Sequence, residues 1–176
     1  MKYVVMTEGT CEKALIDVLL EKNIFNIPIE SLLYEEIFHA RQIKASLVEK
    51  INQLPCTEKI IIIRIGDSLT DELKIPEEIV DKVEKCLKIC IRPEFEFLYL
   101  IYKKEEDNYI RKYKSKKKPS EYLQQIDCMY EKTYEYNYNF FKNLSNEEIK
   151  EMIKTYSCKR KQVHNKDEGL LENLIK

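Results

Sequence analysis

The most regular feature of the chain is the apolar run KIIIIRI at residues 59–65, where four isoleucines follow one another with nothing polar between them. A strand that is apolar on both faces belongs inside a sheet covered on both sides, the usual setting of parallel strands. A shorter run of the same kind, KYVVM at 2–6, ends at Thr7-Glu8-Gly9. Between the two the apolar period lengthens to that of helices. Residues 11–23 keep Ala14, Leu15, Val18 and Leu19 at helical spacing, with Ile16 and Leu20 widening the stripe. Residues 40–54 place Ile43, Leu47 and Ile51 on one helical face before Pro55 closes the segment. Residues 28–34 fit a short second strand. Pro76, followed by Glu77 and Glu78 in a first turn, predicts a third helix over 76–87. Residues 89–91 read as a short strand stopped by Arg92-Pro93, and 94–104 as a helix whose aromatic content would also suit a strand.

The order βα(β)αβαβα predicts an α/β fold, Rossmann-like, with a mainly parallel sheet flanked by helices. Ligands of such sheets sit beyond the carboxyl ends of the strands. Two of those ends carry acids here, Glu8 after the first strand and Asp67 after the isoleucine strand. Residues 105–176 read as a basic loop, a tyrosine-rich helical stretch at 120–141, a helix capped by Ser145 and Glu148, and a short terminal helix at 168–175. No linker separates the two parts. Residues 1–104 are therefore taken as the α/β core, and 105–176 as a helical, Tyr/Lys-rich extension packed on the same domain.

Composition narrows the classes. The chain has 176 residues, 44% of them hydrophobic, and only three glycines. Disorder, collagen-like sequence and glycine-rich linkers are excluded. No run of about eighteen apolar residues occurs, and the N-terminal apolar run is broken by Thr7, Glu8 and Lys13, so a cytoplasmic protein is expected. The six cysteines include no CxxC pair, and the two histidines, His39 and His164, stand near neither Cys86 nor Cys90. Reduced, mostly buried thiols are the expectation. The formal net charge of −1 hides an asymmetry. Residues 1–100 carry 13 basic and 18 acidic side chains, and residues 101–176 carry 17 and 13. Residues 109–118, YIRKYKSKKK, hold Arg111, Lys112, Lys114, Lys116, Lys117 and Lys118 and no acid. Acidic strand ends and a basic strip suit a divalent cation and a polyanion; solvated charged faces would give the same composition. Glycine-rich phosphate loops and the HExxH and GxSxG motifs are missing, which removes the main support for kinases, dinucleotide enzymes, zinc proteases and serine hydrolases.

The first strand followed by Glu8-Gly9, with Glu12 a helical turn later and a second strand ending at Asp67, resembles the TOPRIM domain of topoisomerases, bacterial primases and OLD-type nucleases. That family ends a later strand in two aspartates spaced two apart; here Asp67 and Asp71 in GDSLTD stand four apart. The segment after Arg92, with Pro93, Glu94, Phe95 and Glu96, is similar to the Pro-x-Phe-Glu helix start of small RloB-like TOPRIM proteins from bacterial defence loci. The Lys-Pro-Ser stretch at 118–120 resembles a feature that follows it there. The resemblance covers roughly residues 1 to 125 by order of motifs.

It implies a metal-dependent nuclease acting in antiviral defence or on a mobile element, with Mg²⁺ or Mn²⁺ held by Glu8, Glu12, Asp67 and Asp71. Glu8 and Asp67 would be catalytic, with Lys117 or Lys118 on the scissile phosphate. Arg92, Arg111, Lys112, Lys114, Lys116, Lys117 and Lys118 would bind DNA or RNA, and Glu94 and Glu96 would support the site. The wider aspartate spacing keeps a second expectation open. That is a catalytically degraded relative which binds nucleic acid or a partner protein such as an ATPase.

Overall fold

The two apolar runs become the central strands. In a computed structural model, which describes residues 1–67, 72–160 and 168–176, β1 (Lys2–Thr7) lies between β2 (Leu32–His39) and β3 (Ile60–Gly66). Beyond β3 come β4 (Val83–Cys90) and β5 (Glu168–Gly169), in the order β2-β1-β3-β4-β5 with every pair parallel. Successive side chains of a strand point to opposite faces. Val4, Met6, Ile60 and Ile62 accordingly pack with Leu47 and Ile51 of α2 (Ala45–Asn52). Val5, Ile61, Ile63 and Ile65 pack on the other face with α1 (Thr10–Glu21), α3 (Phe97–Tyr102), α6 (Tyr134–Asn143) and α7 (Asn146–Arg160). Two further helices, α4 (Glu106–Lys112) and α5 (Pro119–Ile126), connect α3 to α6. The α/β fold with a parallel sheet flanked by helices is as the hydrophobic pattern requires. Among the described residues, no helix is long and apolar enough to cross a membrane.

The differences from expectation lie where a strand has a mixed pattern. The second strand is not 28–34, which holds the 3-10 turn Ile29–Ser31, but runs from Leu32 to His39. It is an edge strand, so Glu35 and Glu36 can stay in water, and it bulges: while β1 advances from Tyr3 to Val5, β2 advances from Leu32 to Ile37. Tyr34 and Glu35 take left-handed φ values of 54° and 55° in that bulge. Residues 76–87 are not a helix. A 3-10 turn, Glu77–Lys82, leads into β4, whose residues find backbone partners along β3. Cys86 and Cys90 therefore share a strand rather than a helical face, one exposed and one buried. The basic stretch 109–118 is not all loop, because α4 takes its first residues. The C-terminal residues form no helix at 168–175 but a strand beside β4 and a 3-10 turn, Leu171–Leu174.

Candidate functional site

The chain leaves β1 for an edge on one side and returns to β3 on the other. Its first crossover helix, α1, covers one face of the sheet and its second, α2, the opposite face. This reversal opens a crevice at the carboxyl ends of β1 and β3, where α/β sheets hold ligands. A cavity of about 240 Å³ lies there, lined by Gly9, Thr10, Cys11, Glu12, Asp67, Glu94, Phe95, Glu96 and Lys132. Its walls come from the segments that follow β1, β3 and β4, joined by the loop before α6.

Gly9 caps α1 and lacks the side chain that would collide with Glu12; a Cβ there would fall on the Glu12 carboxylate. The carboxylate can thus fold back over the helix start, where its own backbone N–H donates to it. Burial, and then the charges of Asp67, Glu96 and Glu8, push the Glu12 pKa up from 4.5 to about 7 against that hydrogen bond. The same burial, with Glu12 and Glu96 nearby, raises the Cys11 thiol to about 11, so it stays neutral in the cavity wall.

Glu96 is only 1% exposed. It accepts from Lys132 Nζ at 2.5 Å and from the Tyr130 hydroxyl at 3.2 Å. Burial lowers the Lys132 pKa, but the hydrogen bond and charge of Glu96 outweigh it, and the net shift is upward. Burial and the charge of Glu96 also raise Tyr130, which remains a donor. Glu94 accepts from Ser120 Oγ at 2.7 Å and from Ser120 N at 3.3 Å, at the start of α5. Arg92 donates from Nε to the Asp67 carbonyl at 2.9 Å, which ties the segments after β3 and β4 together.

Glu8 lies elsewhere. It continues the alternation of Val4 and Met6, so its side chain goes to the α2 face. There it ion-pairs with Arg64, the two side chains being 4% and 3% exposed. Gly66 makes room for it, since a Cβ at 66 would strike the Glu8 carboxylate. Glu8 thus underlies the cavity without lining it, although its charge still reaches Glu12.

Of the residues singled out from the sequence, the fold brings Glu12, Asp67, Glu94 and Glu96 around one cavity. Asp71 and His164 lie outside the described residues. Neither Lys117 nor Lys118 lines the cavity: Lys117 donates to Gln125 Oε1 at 2.6 Å, and Lys118, 72% exposed, stands 4.0 Å from Glu94. Lys112, Lys114 and Lys116 are exposed, and Arg111 donates to the Asp107 carbonyl at 3.3 Å. The basic strip therefore runs up to the cavity rim through Lys118 and Glu94. His39 is exposed, with Nε2 3.2 Å from the Glu8 carbonyl.

Sequence reasoning missed Arg64 and Lys132. The first had a signal, because a charged residue inside an isoleucine strand buried on both faces demands a buried counter-charge. Lys132 had none. Among the described residues, no group of three or more His, Cys, Asp or Glu side chains is gathered so that it could hold a metal ion. No family model, curated protein or solved structure matches the chain.

Proposed function

We propose that the chain is a metal-dependent phosphodiester hydrolase of TOPRIM type, with Mg²⁺ or Mn²⁺ held at the carboxylates of this cavity. The observation that carries the proposal is Glu12. With Asp67, Glu94 and Glu96 it lines one cavity at the carboxyl ends of β1, β3 and β4, four carboxylates facing a single lining cation, Lys132. The donors are hard oxygens, the ligand type of Mg²⁺ and Mn²⁺. Glu12 and Asp67 would hold the cation, with Glu94 at the rim. A bound divalent cation supplies Lewis-acid stabilisation of phosphate oxygens and lowers the pKa of water.

The protein's own groups do the rest. Above about pH 7 Glu12 is ionised and available as a ligand. Arg64 holds Glu8 beneath the site, and the charge of Glu8 adds to the field on Glu12. The exposed lysines of 112–118 attract the phosphate backbone and lead it to the rim. Cleavage of labelled DNA and RNA with Mn²⁺ tests this, using the wild type, Glu8→Ala, Glu12→Gln and Asp67→Asn. The expected result is cleavage by the wild type, abolished by chelation and lowered about 100-fold or more in Glu12→Gln and Asp67→Asn. Equal cleavage by the wild type and Asp67→Asn would overturn the proposal.

A second function has specific support. Glu96 in the cavity already has an internal cation in Lys132, and Glu8 outside it has one in Arg64. A relative that no longer binds metal would need such compensation. It would use the same basic strip to bind nucleic acid, or the fold to bind a partner protein such as an ATPase. Oligonucleotide binding without cleavage under any divalent cation would favour it.

A further inference from the structure

Lys132 is the cationic side chain of the cavity wall, and the fold takes trouble to present it. It stands on the loop between α5 and α6, away in sequence from every strand end that builds the site. That loop is clamped on both sides of Lys132. The Asn137 amide donates to the carbonyls of Glu131 at 3.3 Å and Thr133 at 2.6 Å, the residues immediately before and after it. Asn137 is itself fully buried and accepts from the Tyr99 hydroxyl at 2.6 Å. Thr133 Oγ1 accepts from Tyr136 N at 3.2 Å, which fixes where α6 begins. Tyr130, at the other end of the loop, is held by the same Glu96 carboxylate that holds Lys132.

The ammonium held by this clamp is not consumed by it. A lysine has three donor hydrogens, and Lys132 has one partner among the described residues, Glu96. The side chain remains 58% exposed although its partner is buried. Lys132 lines the same cavity as Glu12 and Asp67. A phosphodiester entering a site whose carboxylates hold a divalent cation needs a fixed positive donor on its other oxygens. Lys117 and Lys118 stand outside the cavity and do not supply it.

We infer that Lys132 is the phosphate-contacting residue of this cavity, anchored on Glu96 and positioned by Asn137, and that its ligand is a nucleic-acid phosphodiester. The inference rests on the proposed function above and sharpens it by replacing Lys117 and Lys118 at the scissile phosphate.

The test is fluorescence anisotropy with labelled single-stranded DNA and RNA oligonucleotides in Ca²⁺, over a series of salt concentrations. The proteins compared are the wild type, Lys132→Arg, Lys132→Met and the double variant Lys132→Met with Glu96→Gln. The double variant leaves no buried charge unpaired, so it keeps the test valid even if Lys132→Met alone unfolds. Both methionine variants are expected to lose about three- to tenfold in affinity, with a salt slope shallower by about 0.7. Lys132→Arg should keep both. A double variant that binds with wild-type affinity and slope would show that Lys132 is only the counter-ion of Glu96, and the inference would fall while the hydrolase proposal stood. Weakened binding without any Mn²⁺-dependent cleavage by the wild type would remove the hydrolase proposal and leave Lys132 in its place. A wild type that binds neither oligonucleotide overturns both.

Discussion

Replacing Glu12 by Gln should stabilise the metal-free protein, and by an amount that grows with pH. Glu12 binds its proton more tightly in the folded chain, with a pKa raised from 4.5 to about 7 by burial and by Asp67, Glu96 and Glu8. Folding therefore takes up a proton between those two values. Stability must fall as pH rises through that window and level off above it. The rise is equivalent to at most about 3 kcal/mol. At about 2–4 °C per kcal/mol for a chain of this size, Glu12→Gln should melt up to about 6–12 °C above the wild type at about pH 8. At or below about pH 4.5 the two should melt together. Thermal and urea unfolding in EDTA at a series of pH values measures this directly. Adding Mn²⁺ at the upper pH should close the gap, because the cation binds the folded wild type and not the variant. A stability difference that does not change with pH, or one that favours the wild type as pH rises, would refute the electrostatic reasoning.

Three further outcomes follow from the same geometry. Gly66→Ala puts a methyl group on the Glu8 carboxylate and should cost about 1–3 kcal/mol in urea unfolding, while an alanine at exposed Cys56 should change little. Arg64→Met leaves Glu8 buried without its cation and should cost about 3–5 kcal/mol. Adding Glu8→Gln should recover most of that loss, as a double-mutant cycle would show. Asn137→Ala strands the Tyr99 hydroxyl and frees the carbonyls beside Lys132, at about 1–3 kcal/mol. Its oligonucleotide affinity should fall less than that of Lys132→Met.

How far the fold was legible depends on how many neighbours each element has. β1 and β3 are buried on both faces, so their centres are apolar apart from Arg64, whose charge is met by Glu8, and the pattern was plain. α1 and α2 bury one stripe each, and their period showed it. β4 carries VEKCLKIC, in which Val83, Leu87 and the two cysteines fall at helical spacing as well. What makes it a strand is the open side of β3, which no local pattern encodes. β2 was misplaced because its bulge and its acids suit an edge and not a core.

The site was legible to the extent that it follows strand ends. Glu12, Asp67, Glu94 and Glu96 meet because β1, β3 and β4 are parallel neighbours and release their chains at one edge. Glu8 was placed in the right strand turn but on the wrong face. The alternation that buries Val4 and Met6 toward α2 carries Glu8 there too, and Arg64 and Gly66 share that parity. Lys132 was invisible because its place depends on Asn137, Tyr99 and Glu96, three residues from three different segments.

The most direct test of a divalent-cation site in this cavity is a calorimetric titration of the wild type with Mn²⁺ at about pH 8, beside the Glu12→Gln, Asp67→Asn double variant. Saturable binding by the wild type alone is the predicted result, weakening as pH falls through about 7 because Glu12 takes up a proton in competition with the cation. Equal heats in the two proteins, or none in the wild type, would contradict it.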